Sequence, residues 1–431
     1  MDKNSVFKTN VSFGLIWKFI TLLFTYLTVP ILLKYLGVEY YGVWVTIFTI
    51  LNAAYFMDLG ISLGVKNKLT TALAKDDLKA ARVYISTGYF SIAFIAGIAL
   101  VSGLCFILVF NMQNIFNTNI SEAELKFTLV ISVVLVAISI VLNIYKSLLH
   151  AFQKSSKVEL AMAIYQGLIY LQILFLPKII DQPLIIIGLL YGVSNILIAL
   201  VFSVLFFKKN KQIIPSFIYF KKDTIKEILG LGVGFFIIQI ALIIILTTDN
   251  IIITYLIGPE ATASYSIVNK LFQPFIIIST FIFTPLWTLY TNAYCNKDFT
   301  WIRNTLTRLN QLYLVLIFLI ILLFFNFDWV IKFWISEPLA YSDVLILGMT
   351  LFVLIKIYGD IYLTFLNGIG VIKLQMWLFV LAALINIPLS VLLVKYFNLG
   401  TSGVIFATCI SLLILTITMP IQAYLILKNK K

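Results

Sequence analysis

The sequence predicts an all-α integral membrane protein, and composition is the first reason. Hydrophobic residues make up 61% and charged residues 11% of the 431 residues, whereas soluble domains are about half apolar and about a quarter charged. A helix needs about 20 apolar residues to cross a bilayer. Runs of that kind predict about twelve transmembrane helices, at residues 11–35, 41–65, 83–110, 125–149, 160–177, 184–207, 228–257, 261–290, 309–325, 344–366, 374–397 and 403–427.

An internal repeat predicts that these helices form two related halves. Similar residues recur with an offset of 221 (258 minus 37), in the pairs Gly37 and Gly258, Glu39 and Glu260, and Arg82 and Arg303. Internal symmetry of this kind is typical of transporters, whose binding cavity lies between the repeats. We therefore expect two pseudo-symmetric six-helix bundles around a central cavity: residues 1–207, then a cytosolic basic linker at 208–227, then residues 228–431.

The positions of the charges predict the topology. Of 31 Lys and Arg, 23 lie in segments that we interpret as cytosolic, five lie outside and three lie within helices, which is the positive-inside pattern. Both termini are then cytosolic. The formal charge of +13 is not gathered on a soluble face, so we expect no nucleic-acid partner. The first apolar run is too long for a cleavable signal peptide and predicts a retained span.

Six ionisable residues are predicted to lie at membrane depth, where each costs at least about 2.5–3.5 kcal/mol and is by default a functional candidate. They are Lys18, Asp58, Asp249, Lys270, Lys356 and Asp360. Lysines in a cavity attract an anion, and buried carboxylates suit H⁺ or Na⁺ coupling or a counter-charge to the lysines.

Each of these residues also has a structural interpretation. Lys18 can snorkel to the interface or pair with Asp58, and Asp249 can cap or bend its helix. Lys356 and Asp360 are spaced i,i+4 and can neutralise each other. Lys270 is predicted near mid-membrane, where snorkelling is poor, so it is the first candidate for an anion contact.

Two tryptophans, Trp17 and Trp287, are candidates for stacking on sugar rings, with helix packing or interface anchoring as the alternative. The sequence contains no phosphate-binding loop of the G-x-x-x-x-G-K-[ST] type and a single histidine, His150. The three cysteines show neither metal-ligand spacing nor a disulfide framework. We therefore expect a non-enzyme with no metal site and no cofactor, apart from H⁺ or Na⁺ coupling.

The opening NVSFGLIWKFI, then VPILLKYLGVEYYGVW and FMDLGISLGVKNKLTTALAKDDLKAARVYISTG, resembles the polysaccharide-biosynthesis flippases that export O-antigen units. The matching features are the Y-G-x-W start of the second helix, D-L-G within it and the basic exit K-N-K-L. These flippases belong to the superfamily that also holds multidrug/toxic-compound extruders and the lipid II flippase. The lipid II branch commonly has fourteen spans and cavity arginines, whereas this chain has twelve predicted spans and lysines.

The resemblance implies a V of two bundles around a cationic cavity that opens alternately to each side. It implies transport of undecaprenyl-pyrophosphate-linked oligosaccharide from the inner to the outer leaflet of a bacterial inner membrane, with membrane lipid, a polysaccharide polymerase and a chain-length regulator as partners. Lys270, Lys18 and Lys356 would then contact the pyrophosphate. Asp58, Asp249 and Asp360 would serve ion coupling or charge relay. The alternatives are a cation-coupled multidrug efflux antiporter and a non-transporting partner of the assembly complex.

Overall fold

A computed structural model describes residues 3–55, 60–176, 182–229 and 233–428, with side chains described for 13–55, 60–176, 182–228 and 237–428. These ranges are helical and contain no strand. The helices of the first half are α1 Lys3–Ala54, α2 Ile61–Ala74, α3 Leu78–Val109, α4 Met112–Phe116, α5 Glu122–Leu142, α6 Ile144–Ala151, α7 Ser155–Leu174, α8 Pro183–Lys209 and α9 Lys222–Leu229. Those of the second half are α10 Val233–Leu256, α11 Pro259–Cys295, α12 Phe299–Phe325, α13 Phe327–Trp334, α14 Asp343–Gly368, α15 Lys373–Lys395 and α16 Gly400–Lys428.

Ten stretches of helix within the described residues are long and apolar enough to span a membrane. The first of them, Phe13–Ala54, holds the predicted first span and most of the second, because α1 consists of two helical segments that meet at Gly37 (φ 74°, ψ 170°). The predicted fifth span corresponds to α7, which has 20 residues and is not among the ten. The chain is therefore an all-α, multi-pass membrane protein.

Three predicted boundaries are wrong. The span predicted at 41–65 is not one helix, because α1 ends at Ala54 and α2 begins at Ile61, after Gly60 in the left-handed region (φ 78°). The span predicted at 125–149 is divided at Asn143, whose side chain donates to the Ser139 carbonyl. The helix predicted to start at residue 160 starts five residues earlier, at Ser155, so it includes Glu159.

The chain forms two compact units, Met1–Tyr40 with Ile50–Val233, and Tyr41–Thr49 with Gly234–Lys431. In unit 1, α2 and α9 approach closely at Gly64, where an added Cβ would lie 2.3 Å from the Ile228 carbonyl oxygen. This agrees with the small-residue spacing of Gly60 and Gly64, which favours close helix contacts. Glu124, at the start of α5, is 4% exposed and accepts from the Leu184 N–H at 3.2 Å.

Unit 2 contains a comparable close contact on the short segment Tyr41–Thr49. A Cβ added at Gly42 would lie 1.7 Å from the Pro259 carbonyl oxygen, so only glycine fits there. One turn further along, the Thr46 and Thr254 hydroxyls are 2.5 Å apart, and Thr254 also contacts the Thr262 hydroxyl at 2.7 Å. These hydroxyl contacts satisfy polar groups that a membrane protein must satisfy internally.

The predicted repeat is confirmed at the connections between helices, which we call the joints. Gly37 and Gly258 both have positive φ, at 74° and 130°. With the same offset of 221 (297 minus 76), Asp76 and Lys297 have φ of 54° and 58°. The next residue of each half caps the following helix: the Asp77 and Asp298 side chains accept from backbone N–H groups at 2.8 and 3.0 Å.

The two arginines of the repeat also have equivalent roles. Arg82 donates to the Ile214 carbonyl at 2.9 Å and Arg303 to the Leu427 carbonyl at 2.8 Å. Each therefore fixes the chain near the end of the last long helix of its own half, α8 or α16. Leu427 lies in the last turn of α16, where the carbonyls have no partner within the helix, so the Arg303 donor satisfies one of them.

Candidate transport and ion sites

A buried carboxylate lies at the centre of a polar cluster in unit 2. Asp249 on α10 is 5% exposed, and its Oδ2 accepts from the Tyr265 hydroxyl at 2.6 Å. The Thr408 hydroxyl on α16 lies 3.2 and 3.3 Å from the two carboxylate oxygens. The Asn386 side chain on α15 donates to Thr408 at 3.0 Å. Four helices thus converge on one carboxylate.

Several buried polar atoms on α15 and α16, two of the helices of this cluster, lack hydrogen-bond partners. Within the described part of the chain, the buried Asn386 Oδ1 and the Ser390 and Ser411 hydroxyl oxygens have no hydrogen-bond partner. Most buried polar atoms are satisfied, so such exceptions need an explanation. A carboxylate with neighbouring hydroxyl and amide oxygens is a donor set suited to a proton or to a hard cation such as Na⁺.

Lys270 lies on α11, the same helix that carries Tyr265. It follows the helix start at Pro259 by eleven residues, which is about 16 Å along the axis. Its side chain is partly buried. The long apolar helix thus holds an ammonium group about three turns from its N-terminal end.

Lys356 and Asp360 pair with each other on α14, with Nζ and Oδ2 2.5 Å apart. Their side chains are 17% and 23% exposed. They adjoin a cleft of about 10 Å³ that is lined mainly by apolar residues, among them Leu242, Phe379 and Leu412. That volume is close to the minimum for one water molecule. The two side chains therefore neutralise each other, as the structural interpretation of this pair predicts.

Unit 1 contains a charged cluster of which the sequence predicts only one member, Lys18. Glu159 on α7 lies within electrostatic range of Lys18 on α1 and Lys146 on α6. A Cβ added at Gly14 would lie 4.0 Å from the Glu159 Cγ, so α1 and α7 are in contact at this level. Two ammonium groups around one carboxylate leave this cluster with a net positive charge.

The remaining predicted residues are placed as follows. Asp58 lies outside the described residues. Trp17 is partly buried on α1 and Trp287 is 40% exposed on α11. A Cβ added at Gly368 would lie 2.8 Å from the Trp287 carbonyl oxygen, so the backbone of this tryptophan packs closely on α14.

Sequence reasoning missed Glu159, Lys146, Thr408 and Asn386. Glu159 was assigned to a cytosolic connection because α7 starts earlier than its apolar run. Lys146, near the end of the predicted fourth span, was counted with the same connection. The polar run Thr247 to Asn250 indicated Asp249, but nothing in the sequence identifies its partners on two distant helices. Within the described residues, no three His, Cys, Asp or Glu side chains lie close enough to hold a metal ion.

Comparisons with known proteins agree on one group of membrane proteins. A family described as "Polysaccharide biosynthesis protein" matches residues 7–290, and the MatE family matches residues 235–392. None of the curated protein sequences matches this chain.

Solved structures with the same fold cover nearly all of the chain. One is an inward-facing conformation of a multidrug resistance MATE family transporter of the MOP superfamily, with TM-score 0.77, 14% identity, and coverage of 95% of this chain and 94% of that chain. Another is a MATE protein in the bent conformation, with TM-score 0.67, 14% identity and coverage of 99% and 98%. A third is a MOP superfamily transporter from Pyrococcus furiosus Vc1, described as having a binding pocket of reverse polarity, with TM-score 0.61, 14% identity and coverage of 98% and 94%. At these identities the likeness shows the fold.

Proposed function

Because the chain belongs to the polysaccharide biosynthesis protein family and is a membrane transporter of the MOP superfamily, we propose that it is a flippase. Its substrate would be an undecaprenyl-pyrophosphate-linked oligosaccharide repeat unit, moved from the cytosolic to the outer leaflet by alternating access. The observation that carries this proposal is the placement of lysines within apolar helices of both units. Lys18 and Lys146 lie in unit 1, and Lys270 lies in unit 2.

The physical argument rests on the headgroup. A pyrophosphate cannot cross hydrocarbon unaided, because desolvating its charge costs far more than sugar contacts return. Ammonium groups at low dielectric replace part of the lost hydration. Lysine supplies a point charge to phosphate rather than a bidentate fork. Lys270 is our first candidate for this contact, Lys18 the second and Lys356 the third.

We assign ion coupling to Asp249, with H⁺ or Na⁺ as the coupled ion. The orphaned Asn386 oxygen and the Thr408 hydroxyl supply further oxygen ligands beside the carboxylate. Asp58 and Asp360 are the second candidates for charge relay, and Trp17 and Trp287 for sugar stacking. Membrane lipid, a polysaccharide polymerase and a chain-length regulator are the proposed partners.

The proposed location is a bacterial inner membrane with both termini cytosolic, since the basic connections then follow the positive-inside rule. Residues 1–207 and 228–431 would be the two functional bundles and 208–227 their linker. We propose transport rather than catalysis as the activity.

A cation-coupled multidrug efflux antiporter is the second candidate, because the MatE family matches residues 235–392. An organic-cation substrate would be repelled by lysines and attracted by carboxylates. A non-transporting partner of the polysaccharide assembly complex is the third candidate, and the Lys356–Asp360 pair favours it, since that pair is neutral without any substrate.

The deciding experiment uses cells that lack this gene but retain the rest of their surface-polysaccharide pathway. We expect the lipid-linked repeat unit to accumulate on the cytosolic leaflet and wild-type protein to restore surface glycan. Stably inserted Lys270→Gln should fail to restore it, while the matched change at exposed Lys75 should succeed. Normal surface glycan without the gene, in cells with no redundant flippase, would reject the flippase and favour the antiporter.

A further inference from the structure

The segment between α8 and α9 is a built surface rather than a loose connection. We call residues 210–221 the crossover ledge. The Ser216 N–H donates to the Ser86 hydroxyl at 3.1 Å, and the Lys221 N–H donates to the Thr87 hydroxyl at 3.2 Å. Both hydroxyls belong to α3, so the ledge backbone is fixed along one face of that helix.

Arg82 and Phe90 complete the attachment of the ledge. The Arg82 guanidinium donates to the Ile214 carbonyl and lies 4.2 Å from the Tyr219 ring centroid. The Phe90 ring meets Phe217 edge-on at 5.2 Å. Hydrogen bonds, a cation–π contact and an aromatic contact together hold the ledge on unit 1.

The exposed side chains of the ledge include large apolar ones. Ile218 is 88% exposed, Phe217 is 71% exposed and Ile214 is 41% exposed. A fixed segment that leaves such side chains exposed is unfavourable in water and favourable at the headgroup boundary of a bilayer.

Exposed lysines flank these apolar side chains. They are Lys208, Lys209, Lys211, Lys221, Lys222 and Lys226. None of them forms a salt bridge within the ranges that the structure describes. The carboxylates of the same stretch are only Asp223 and Glu227, and Glu227 already pairs with Lys68 at 3.5 Å.

A neighbouring connection adds to this positive charge. Lys154, between α6 and α7, has its pKa lowered by burial and by the positive charges of Lys157 and Lys209. Cations that crowd one another in this way are relieved by an anion. The surface therefore carries a net positive charge and presents apolar side chains in the middle of its cations.

We propose that the crossover ledge binds the anionic phospholipid headgroups of the adjoining leaflet, with Phe217 and Ile218 inserted at the acyl boundary and the flanking lysines on the phosphates. Charge complementarity selects this occupant, since lysines next to a membrane attract anionic lipid within a Debye length of its surface. Anionic lipid would thereby fix the segment that leads into α9. The proposal does not depend on the transported substrate.

The first test measures lipid selectivity of the full-length protein. The midpoint of thermal unfolding is followed during titration with phosphatidylglycerol or with phosphatidylcholine of identical acyl chains. We expect phosphatidylglycerol to stabilise the wild type at concentrations at least tenfold lower than phosphatidylcholine. Changing Lys208, Lys209, Lys211, Lys221 and Lys222 together to Gln should abolish this preference, and changing them to Arg should keep it. The matched variant Lys75→Gln/Lys79→Gln/Lys297→Gln should also keep it.

A second test detects insertion without neutralising the surface. Cys105, Cys295 and Cys409 are first replaced by alanine, and an environment-sensitive fluorophore is attached at Ile218→Cys or, as control, at Lys75→Cys. Doxyl-labelled phosphatidylglycerol vesicles should quench the label at 218 at least threefold more than the label at 75. Equal quenching, or an unchanged phosphatidylglycerol preference in the five-lysine Gln variant, would overturn the proposal. If the cysteine at position 218 is shielded from a water-soluble thiol reagent in cells but not in purified vesicles, the ledge binds a protein partner and not lipid, and the proposal is overturned.

Discussion

The first and second halves of this molecule share their joints but differ in the polar side chains that their helices carry. In both halves a residue with positive φ precedes an aspartate cap, at Asp76–Asp77 and Lys297–Asp298. In contrast, the positions equivalent to Lys18, Asp249 and Lys270 in the other half are Gln239, Thr28 and Thr49. The charges at membrane depth therefore do not follow the repeat.

Thr28 and Asp249 show what this difference means physically. Both side chains are 5% exposed. The Thr28 hydroxyl donates to the Phe24 carbonyl of its own helix at 2.7 Å, so it needs no other element. Asp249 instead takes its partners from two other helices, Tyr265 on α11 and Thr408 on α16.

The comparison separates scaffold from function. A feature that occurs in both halves is needed to build either half, whereas a buried charge in one half alone must be justified by what that half does. The cost of a charge at membrane depth makes this argument stronger here than it would be in a soluble protein.

The largest effect on stability is expected when a carboxylate is introduced in the first half at the position equivalent to Asp249. Thr28→Asp places a carboxylate at a position built for a hydroxyl that bonds to its own helix. We expect a loss of roughly 3–5 kcal/mol of unfolding free energy, the cost of an uncompensated buried charge. The measurement is the thermal midpoint and yield of the purified protein.

Thr28→Val is the control for that change. It removes only the hydroxyl and should cost less than about 1 kcal/mol. A Thr28→Asp protein as stable as wild type would mean that this position has an unrecognised partner.

The converse change should affect transport more than stability. Asp249→Asn keeps an oxygen acceptor for Tyr265 and Thr408 but removes the negative charge. We expect transport to fall at least tenfold, about 1.4 kcal/mol, with its H⁺ or Na⁺ dependence lost. The readout is transport in vesicles with imposed ion gradients. Tyr265→Phe serves as the comparison, since it leaves the carboxylate in place, and wild-type ion dependence in Asp249→Asn would remove this residue from coupling.

The Lys356–Asp360 pair distinguishes a structural pair from a functional one. Removing either member leaves a lone charge beside an apolar cleft. Because both side chains are partly exposed, Lys356→Met or Asp360→Leu should each cost about 1–2 kcal/mol of stability, less than the loss expected for a fully buried pair. The double variant should recover most of that loss. Thermal midpoints of the four proteins give the coupling energy. If transport falls in the double variant while stability recovers, the pair also acts on substrate.

Sequence alone predicts the scaffold well because its signals are local. Apolar runs and the recurring glycines Gly37 and Gly258 are each recognised within a few residues. The partners of Asp249 are not local, since Thr408 lies 159 residues away along the chain. Glu159 was missed for a different reason: hydropathy marks where the apolar run begins, whereas α7 begins five residues before it, at Ser155.

The equivalent arginines test whether the joints are truly alike. Arg82→Gln and Arg303→Gln each remove a charged donor from one backbone carbonyl, at Ile214 or Leu427. We expect each to cost about 1 kcal/mol. The two losses, measured as shifts in thermal midpoint, should agree within about twofold. A large loss at only one of them would show that the halves depend on their joints differently.

The smallest effect concerns the connections that follow the third long helix of each half. In the first half, Glu122 accepts from the Met112 and Gln113 N–H groups at 3.0 and 2.9 Å, and these donors do not titrate. In the second half, the Tyr341 hydroxyl donates to Asp328 at 2.8 Å. Burial, this hydrogen bond and the charges of Asp328 and Asp343 raise the pKa of Tyr341 from 10.0 to about 12.

A phenol whose pKa is raised on folding stabilises the protein while it is protonated. Wild type should therefore be more stable than Tyr341→Phe by roughly a few tenths of a kcal/mol, given the solvent screening at this site. The advantage should be complete below about pH 10 and lost as the pH rises towards about 12. Unfolding midpoints of the two proteins, measured between about pH 8 and about pH 12, test this through proton linkage. An advantage that persists unchanged above about pH 12 would mean that the two connections are held alike, by contacts that do not titrate at alkaline pH.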